Sequence, residues 1–364
     1  MFRIHLRKIK YKLQDISRKH RTKIKVLGPL SAFILVVGGT ILLLNNFGQN
    51  NVRHDALEDN EFKLSLVSRE DFLKKYQNLR LNTLPQGDTL SSSISGFIKN
   101  NTVDALLPAR NWQVQFEDIE ATSALAIYMP EKRILYGRNI FETRPIASLT
   151  KLMSALVIMD EFNLDDVITI TNEAILEEGD SANLVAGEQF SVKELLYALL
   201  LESSNDAATA FKIQLEKNKP QTSFVALMNL RAKNMGLQNT LFVEPSGLSE
   251  KNVSSAYELS QIFYTAFENP ILAQTMAESS YTTKSLNKDI THFWVNLNSL
   301  LGAYEGLLAG KTGFTNEAGP SMAGIVASPI KDTHVVSVVL DAQDRIEATR
   351  QLFDWVKKAY IWEE

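Results

Sequence analysis

The most constraining stretch of this 364-residue chain runs from Arg144 to Met159, where a proline and several small polar residues lead into an almost unbroken apolar run after Lys151. The pattern predicts a helix that begins near Pro145 and is buried on all sides. A polar pair at the mouth of such a helix is held rigidly. Ser148 and Lys151 are three residues apart, so on a helix they share a face and the lysine amine reaches the serine oxygen. Serine needs a base to become nucleophilic at neutral pH, and an amine serves once desolvation or a nearby cation lowers its pKa. The first turn also offers free N–H groups and the positive end of the helix dipole to developing negative charge. The competing reading is an exposed helix start with a capping serine. The same spacing recurs at Ser285/Lys288 and Ser328/Lys331, but neither pair opens a long apolar helix, and Pro329 directly after Ser328 suits a turn.

The chain as a whole is ordinary globular material, with 45% apolar and 22% charged residues, and it has no cysteine, which excludes disulfides and thiolate metal sites. The net charge of −4 hides an asymmetry: residues 1–25 carry ten Lys/Arg against Asp15 alone, leaving 28 basic and 41 acidic residues beyond them. The body therefore has no basic excess with which to hold nucleic acid. The five histidines are scattered without paired ligand spacing, so no metal site is expected, and no cofactor is called for by the motifs.

Residues 26–44, Val26 to Leu44, contain no charge and are long enough to cross the hydrocarbon of a bilayer. Behind the basic segment 1–25 they read as a single transmembrane anchor with its N-terminus in the cytoplasm. A cleaved signal peptide is the alternative; the long basic region and the absence of a small-x-small site after Leu44 argue against it. Residues 45–112 are polar and weakly periodic, and read as an extracytoplasmic stalk ahead of a domain at 113–364.

Within that domain, Ser123–Met129 and Arg133–Gly137 around Pro130 predict a hairpin. Helices are expected at Val192–Leu201, then, capped by the polar residues of Glu202–Ala208, through Thr209, Phe211 and Ile213, and at Phe224–Met235, Ala256–Phe267 and Ile346–Tyr360, with strands at Gly306–Gly313, Ser321–Ala327 and Val335–Leu340. Strands at both ends around a helical middle imply an α+β fold: an antiparallel sheet flanked by helices, with a mostly helical lobe and a cleft between them.

Two more motifs complete a serine site. Ser203-Ser204-Asn205 lies between two helices, and Lys311-Thr312-Gly313 ends a strand ahead of Phe314. Ser-x-Asn also occurs at Ser181/Asn183 and Ser285/Asn287, whereas Lys-Thr-Gly occurs once. Ser203 can relay a proton toward a leaving amine, Asn205 can orient Lys151 and a substrate amide, and Lys311 with Thr312 can pair with a substrate carboxylate. Gly313 would let a substrate backbone lie against the strand. The bland reading of Lys311-Thr312-Gly313 is a solvated strand end with a turn glycine.

Taken in order, Ile146-Ala147-Ser148-Leu149-Thr150-Lys151, Ser203-Ser204-Asn205-Asp206-Ala207-Ala208 and Gly310-Lys311-Thr312-Gly313-Phe314-Thr315 with Ala318-Gly319 resemble the serine-type D-alanyl-D-alanine carboxypeptidases, the low-molecular-mass penicillin-binding proteins, over roughly residues 113–361. Met228-Asn229, Gly236-Leu237, Asn239-Thr240, Phe242 and Gly247-Leu248 between them add to the likeness. The resemblance implies a β-lactamase/transpeptidase-like fold in which Ser148 attacks the bond between two D-alanines of a peptidoglycan stem peptide, with Lys151 as base. The catalytic set it implies is Ser148, Lys151, Ser203 and Asn205, with Lys311, Thr312, Gly313 and Phe314 binding substrate. The oxyanion hole would be the N–H groups of Ser148 and Phe314, and β-lactams would acylate Ser148. Phe314 and Pro320-Ser321-Met322 depart from the usual family text, and the β-rich domain and C-terminal amphipathic anchor of many relatives do not follow the closing helix. The expected setting is a bacterial cell membrane with the catalytic domain outside it. Two further readings are a β-lactamase, for which no Glu-x-x-Leu-Asn segment supplies a deacylating glutamate, and a non-catalytic wall-binding or scaffolding protein on the same fold. A Ser-His-Asp hydrolase would need His292 or His334, neither of which has a supporting motif.

Overall fold

The computed structural model describes residues 108–115 and 118–362. The basic segment 1–25, the apolar stretch 26–44 and nearly all of the stalk at 45–112 lie outside the described residues. Among the described residues no helix is long and apolar enough to cross a membrane.

In chain order the elements are β1 (Ala109–Arg110), β2 (Ala121–Met129), β3 (Arg133–Arg138), β4 (Arg144–Pro145), α1 (Thr150–Glu161), β5 (Val167–Thr169), β6 (Gln189–Ser191), α2 (Val192–Leu200), α3 (Asn205–Asn218), α4 (Phe224–Asn234), β7 (Val253–Ser254), α5 (Ala256–Glu268), α6 (Pro270–Ala277), β8 (Ser280–Lys284), β9 (Thr291–Val295), β10 (Leu307–Gly313), β11 (Ser321–Ala327), β12 (His334–Ala342), α7 (Arg345–Ala359) and β13 (Tyr360–Ile361). The main sheet has the order β10-β11-β12-β2-β3, antiparallel throughout. Strands from the two ends of the domain thus meet at the β2–β12 pair, as the pattern of strands around a helical middle implies.

The sheet is covered on both faces, which explains why β2 reads as a continuous apolar run rather than an alternating one. Successive side chains point to opposite faces. Ala124, Ala126 and Tyr128 pack with Leu352, Phe353 and Val356 of α7, while Leu125 and Ile127 join the larger core built with Leu152 of α1 and Leu259 and Phe263 of α5. At about 25 cal/mol per Å² of apolar surface, each large side chain in these layers contributes roughly 1.5–3 kcal/mol. Helix α1 is buried from Thr150 through Ile158, so it is a central rod rather than a surface helix. Polar residues start the other helices: Ser191 and Glu194 form a reciprocal capping box on α2, and Ser204, Ser255 and Asp344 cap α3, α5 and α7.

Local expectations are corrected in three places. Pro145 does not open the helix; with Arg144 it forms a two-residue strand paired to β7, consistent with the extended backbone a residue before proline prefers. Ser148 sits in a separate 3₁₀ turn, Ala147–Leu149, and α1 begins only at Thr150. The folded unit also starts earlier than residue 113, because Ala109–Arg110 pairs with β13 and Arg110 donates to the Ala359 carbonyl at 3.0 Å. A two-residue strand has no periodicity to read. For the same reason of length, α6 and the β8–β9 hairpin escape the sequence pattern.

Candidate active site

The site forms where the first turn of the central rod, the α2–α3 loop and the end of β10 converge. Ser148 is 8% exposed and opens onto a cavity of about 320 Å³, lined also by Gly179, Asp180, Asn205, Gly247, Leu248 and Phe314. Ala147, directly before it, has φ of +46°, a left-handed conformation that costs a non-glycine residue on the order of 1–2 kcal/mol. The turn is held in that state from both sides. A Cβ on Gly247 would fall 2.0 Å from the Ala147 carbonyl oxygen, and one on Gly313 would fall 3.1 Å from the Ile146 carbonyl oxygen and 3.2 Å from the Ser148 nitrogen. Only backbone fits at Gly247, while a Cβ at Gly313 would be tight against the turn.

Lys151 is fully buried. Its Nζ lies 3.0 Å from Ser148 Oγ and donates to Asn205 Oδ1 at 2.6 Å and to the Ser246 carbonyl at 2.5 Å. Burial lowers its pKa to about 8, against the opposing pull of Glu244, Asp180, Asp206 and Glu177. Asn205 is fixed in turn, its Nδ2 donating to the Glu178 carbonyl at 2.6 Å. The α2–α3 loop presents Ser203 through a left-handed backbone with φ of +59°, and Lys311 Nζ donates to Ser203 Oγ at 2.8 Å and to the Thr312 carbonyl at 2.9 Å. Lys311 is also buried; desolvation first, and then the neighbouring Lys151 and Arg345, hold its pKa well below the ordinary lysine value.

All eight residues singled out in the sequence therefore lie in one region. Ser148, Lys151 and Asn205 form one hydrogen-bonded set, Ser203 and Lys311 a second, and Thr312 and Gly313 end the strand that borders the Ser148 turn, with Phe314 directly after it. Phe314 is 56% exposed at the mouth of the cavity. The decoys stay apart: Ser285 accepts nothing from Lys288, whose Nζ donates to the Ala186 carbonyl, and Ser328 closes a turn with Thr333. His292 is buried on β9 against Glu188 at 2.9 Å, and His334 begins β12.

This order of elements and residues is matched by known proteins. The sequence from 110 to 344 matches the family described as D-alanyl-D-alanine carboxypeptidase, peptidase S11. The chain belongs to that family. It is 34% identical over 231 residues to a D-alanyl-D-alanine endopeptidase of Pseudomonas aeruginosa, spanning 62% of this chain and 73% of the relative. It is 33% identical over 217 residues to the D-alanyl-D-alanine carboxypeptidase DacB2 of Mycobacterium tuberculosis, spanning 59% and 73%. Among solved structures, the Streptomyces K15 DD-transpeptidase aligns with a TM-score of 0.62 at 27% identity, over 67% of this chain and 98% of that one. A D-alanyl-D-alanine carboxypeptidase from Mycobacterium tuberculosis aligns at 0.63 and 28%, over 70% and 99%. The fold is therefore the transpeptidase-like α+β fold of this peptidase S11 family.

Three residues at the site have no motif of their own in the sequence. Ser246 contributes a backbone carbonyl, which any residue type could supply. Arg345 at the start of α7 donates to the Gly313 carbonyl at 2.9 Å, reaching the end of β10 from 32 positions away. Glu244 organises the loop that carries Ser246, and a lone glutamate between Val243 and Pro245 has no readable pattern. Among the described residues no group of three or more His, Cys, Asp or Glu is placed to hold a metal ion.

Proposed function

We propose that this peptidase S11 chain is a serine D-Ala-D-Ala carboxypeptidase that trims the terminal D-alanine from peptidoglycan stem peptides through an acyl-enzyme on Ser148. The single observation that carries the reading is the placement of the buried Lys151 amine against Ser148 Oγ at 3.0 Å, with two carbonyl oxygens taking its other directions. In the neutral amine both N–H bonds point at Asn205 Oδ1 and Ser246 O, and the lone pair is left facing the serine hydroxyl. Lys151 then accepts the Ser148 proton as Oγ bonds to the carbonyl carbon. The oxyanion would be received by the N–H groups of Ser148 and Phe314, adjacent because β10 packs on the Ser148 turn. As the C–N bond breaks, the departing D-alanine amine takes a proton relayed through Ser203. Water then cleaves the ester, giving the shortened peptide and free Ser148.

Lys311 and Arg345 would supply positive charge, and Thr312 a hydroxyl, to the substrate carboxylate. An arriving carboxylate opposes the burial that depresses Lys311, so binding favours its charged form. Gly313 and Phe314 would align the peptide backbone along β10. β-Lactams, which present a similar carbonyl and carboxylate, would acylate Ser148.

A second reading, cleavage of D-alanyl bonds inside cross-links rather than at chain ends, is favoured by the name of the 34% identical relative, an endopeptidase. We further propose residues 26–44 as a single-pass anchor, with 1–25 cytoplasmic, 45–112 as a stalk, and the domain extracytoplasmic at a bacterial cell membrane. This rests on the uncharged 19-residue span behind ten basic residues.

The test uses the full chain with a D-Ala-D-Ala stem pentapeptide, a cross-linked dimer and fluorescent penicillin. D-Alanine release from the pentapeptide and labelling are expected, both abolished in Ser148→Ala. Labelling that persists in Ser148→Ala overturns the nucleophile assignment, and cleavage of the dimer alone favours the endopeptidase. Release of the full chain from membranes by sodium carbonate overturns the anchor.

A further inference from the structure

The loop from Phe242 to Asn252 grips both the nucleophile turn and the Lys151 amine, and one side chain organises it. Five neutral donors converge on the Glu244 carboxylate: Ser246 N at 2.6 Å, Ser246 Oγ at 2.6 Å, Gly247 N at 2.7 Å, Ser249 N at 3.2 Å and Asn252 Nδ2 at 2.5 Å. So bound, the loop aims two successive carbonyls at residues one turn apart on α1. The Pro245 carbonyl accepts from Ser154 Oγ at 2.6 Å, and the Ser246 carbonyl accepts from Lys151 Nζ at 2.5 Å. The next residue, Gly247, with φ of +89°, lies against the Ala147–Ser148 peptide. Asn252 closes the grip: its carbonyl accepts from Ile146 N at 3.1 Å, and its Nδ2 lies 3.3 Å from Thr150 Oγ1.

We infer that Glu244 is a positioning residue for the Lys151 base: by ordering the 244–249 loop it sets the carbonyl that takes one Lys151 N–H and so aims the amine at Ser148. The inference rests on the function proposed above. The geometry gives it a specific consequence, because one of only two carbonyl acceptors that orient the amine hangs on this carboxylate. A neutral amine with one acceptor displaced is free to turn its lone pair away from the hydroxyl.

Glu244 also acts through charge. The groups around Lys151 are Glu244 from this loop, Glu177 and Asp180 from the segment before β6, Asp206 from α3, and Lys311 from β10 with the opposite sign. Of the carboxylates, Glu244 does most to offset the burial of the amine. Replacing it with a neutral side chain moves Lys151 further down.

The experiment measures the second-order rate of acylation by fluorescent penicillin from pH 6 to 10 in the full chain, for wild type, Glu244→Gln and Glu244→Asp. The midpoint of such a profile does not depend on how much protein is folded, so a merely structural role would leave it in place. Glu244→Gln is expected to move the rising limb to lower pH by roughly 0.5–1 unit and to lower the maximal rate roughly 10- to 100-fold. Glu244→Asp keeps the charge and shortens the reach, so it is expected to keep the wild-type midpoint while losing maximal rate. A Glu244→Gln profile that coincides with wild type overturns the inference. If Glu244→Gln fails to fold, Glu244→Asp decides alone, and a wild-type maximal rate in it overturns the inference. Failure of wild type itself to react would instead overturn the function proposed above.

Discussion

Burial of Lys151 makes a quantitative demand on how acylation depends on pH. An amine with a pKa of about 8 is neutral in roughly one molecule in eleven at pH 7, whereas at the ordinary value of 10.5 it would be neutral in roughly one in 3,000. The gain in competent base is about 300-fold, equivalent to about 3 kcal/mol of differential solvation between the two protonation states. The acylation rate constant of the free enzyme with fluorescent penicillin should therefore rise about tenfold per pH unit below pH 7 and level off above a midpoint near 8. Lys151→Arg, which stays protonated throughout, should lose at least about 1,000-fold. The same lowering has a stability counterpart. Between pH 8 and 10.5 the unfolded chain binds more protons at this position than the folded one, so wild type should gain stability with rising pH across that window relative to Lys151→Met. A rate that is flat from pH 6 to 9, or a midpoint at 10 or above, would refute the assignment of Lys151 as a neutral base.

Other perturbations follow from single contacts. Gly247→Ala places a Cβ 2.0 Å from the Ala147 carbonyl oxygen at a φ of +89°; it should lower the thermal midpoint by more than about 2 kcal/mol equivalent and remove penicillin labelling. A labelled variant with the wild-type midpoint would contradict the packing of that loop on the nucleophile turn. Arg345→Leu removes the guanidinium bonded to the Gly313 carbonyl at 2.9 Å; kcat/KM should fall about tenfold for a peptide with a free C-terminal carboxylate and stay level for the amidated peptide. Glu258, 6% exposed, accepts from Gln238 N at 2.8 Å, Asn239 N at 3.0 Å and Thr240 Oγ1 at 2.6 Å, so Glu258→Gln should cost about 2 kcal/mol in urea unfolding without moving the acylation midpoint.

Much of the fold is legible in the chain because its signals are local and long. The last six residues of β2, Ala124 to Met129, form a continuous apolar run, and the helices at α2, α3 and α5 announce themselves through a capping serine and an apolar face. The two-residue strands β1 and β4 have no periodicity to read and α6 spans only two turns, so these emerge only from their partners. The start of α1 shows the limit most clearly. A proline followed by small polar residues reads as a helix beginning, but pairing of Arg144–Pro145 with β7 and pressure from Gly247 on the Ala147 carbonyl leave the serine in a turn of its own.

Motif order, and the family resemblance it carries, singled out Ser148, Lys151, Ser203, Asn205 and Lys311-Thr312-Gly313 as the candidate residues, because a hydroxyl, an amine, an amide and a glycine each have a residue letter that can be read in place. What only the tertiary structure decided is how protons can be held there. Whether Lys151 is an ordinary surface ammonium or a buried amine depends on the core packed around α1. Whether its lone pair faces Ser148 depends on carbonyl and amide oxygens brought from residues 205 and 246, 54 and 95 positions away. Backbone carbonyls have no letter in the sequence, and desolvation is a property of neighbours distant along the chain; both come into being only when the sheet, the rod and the loop close on one another.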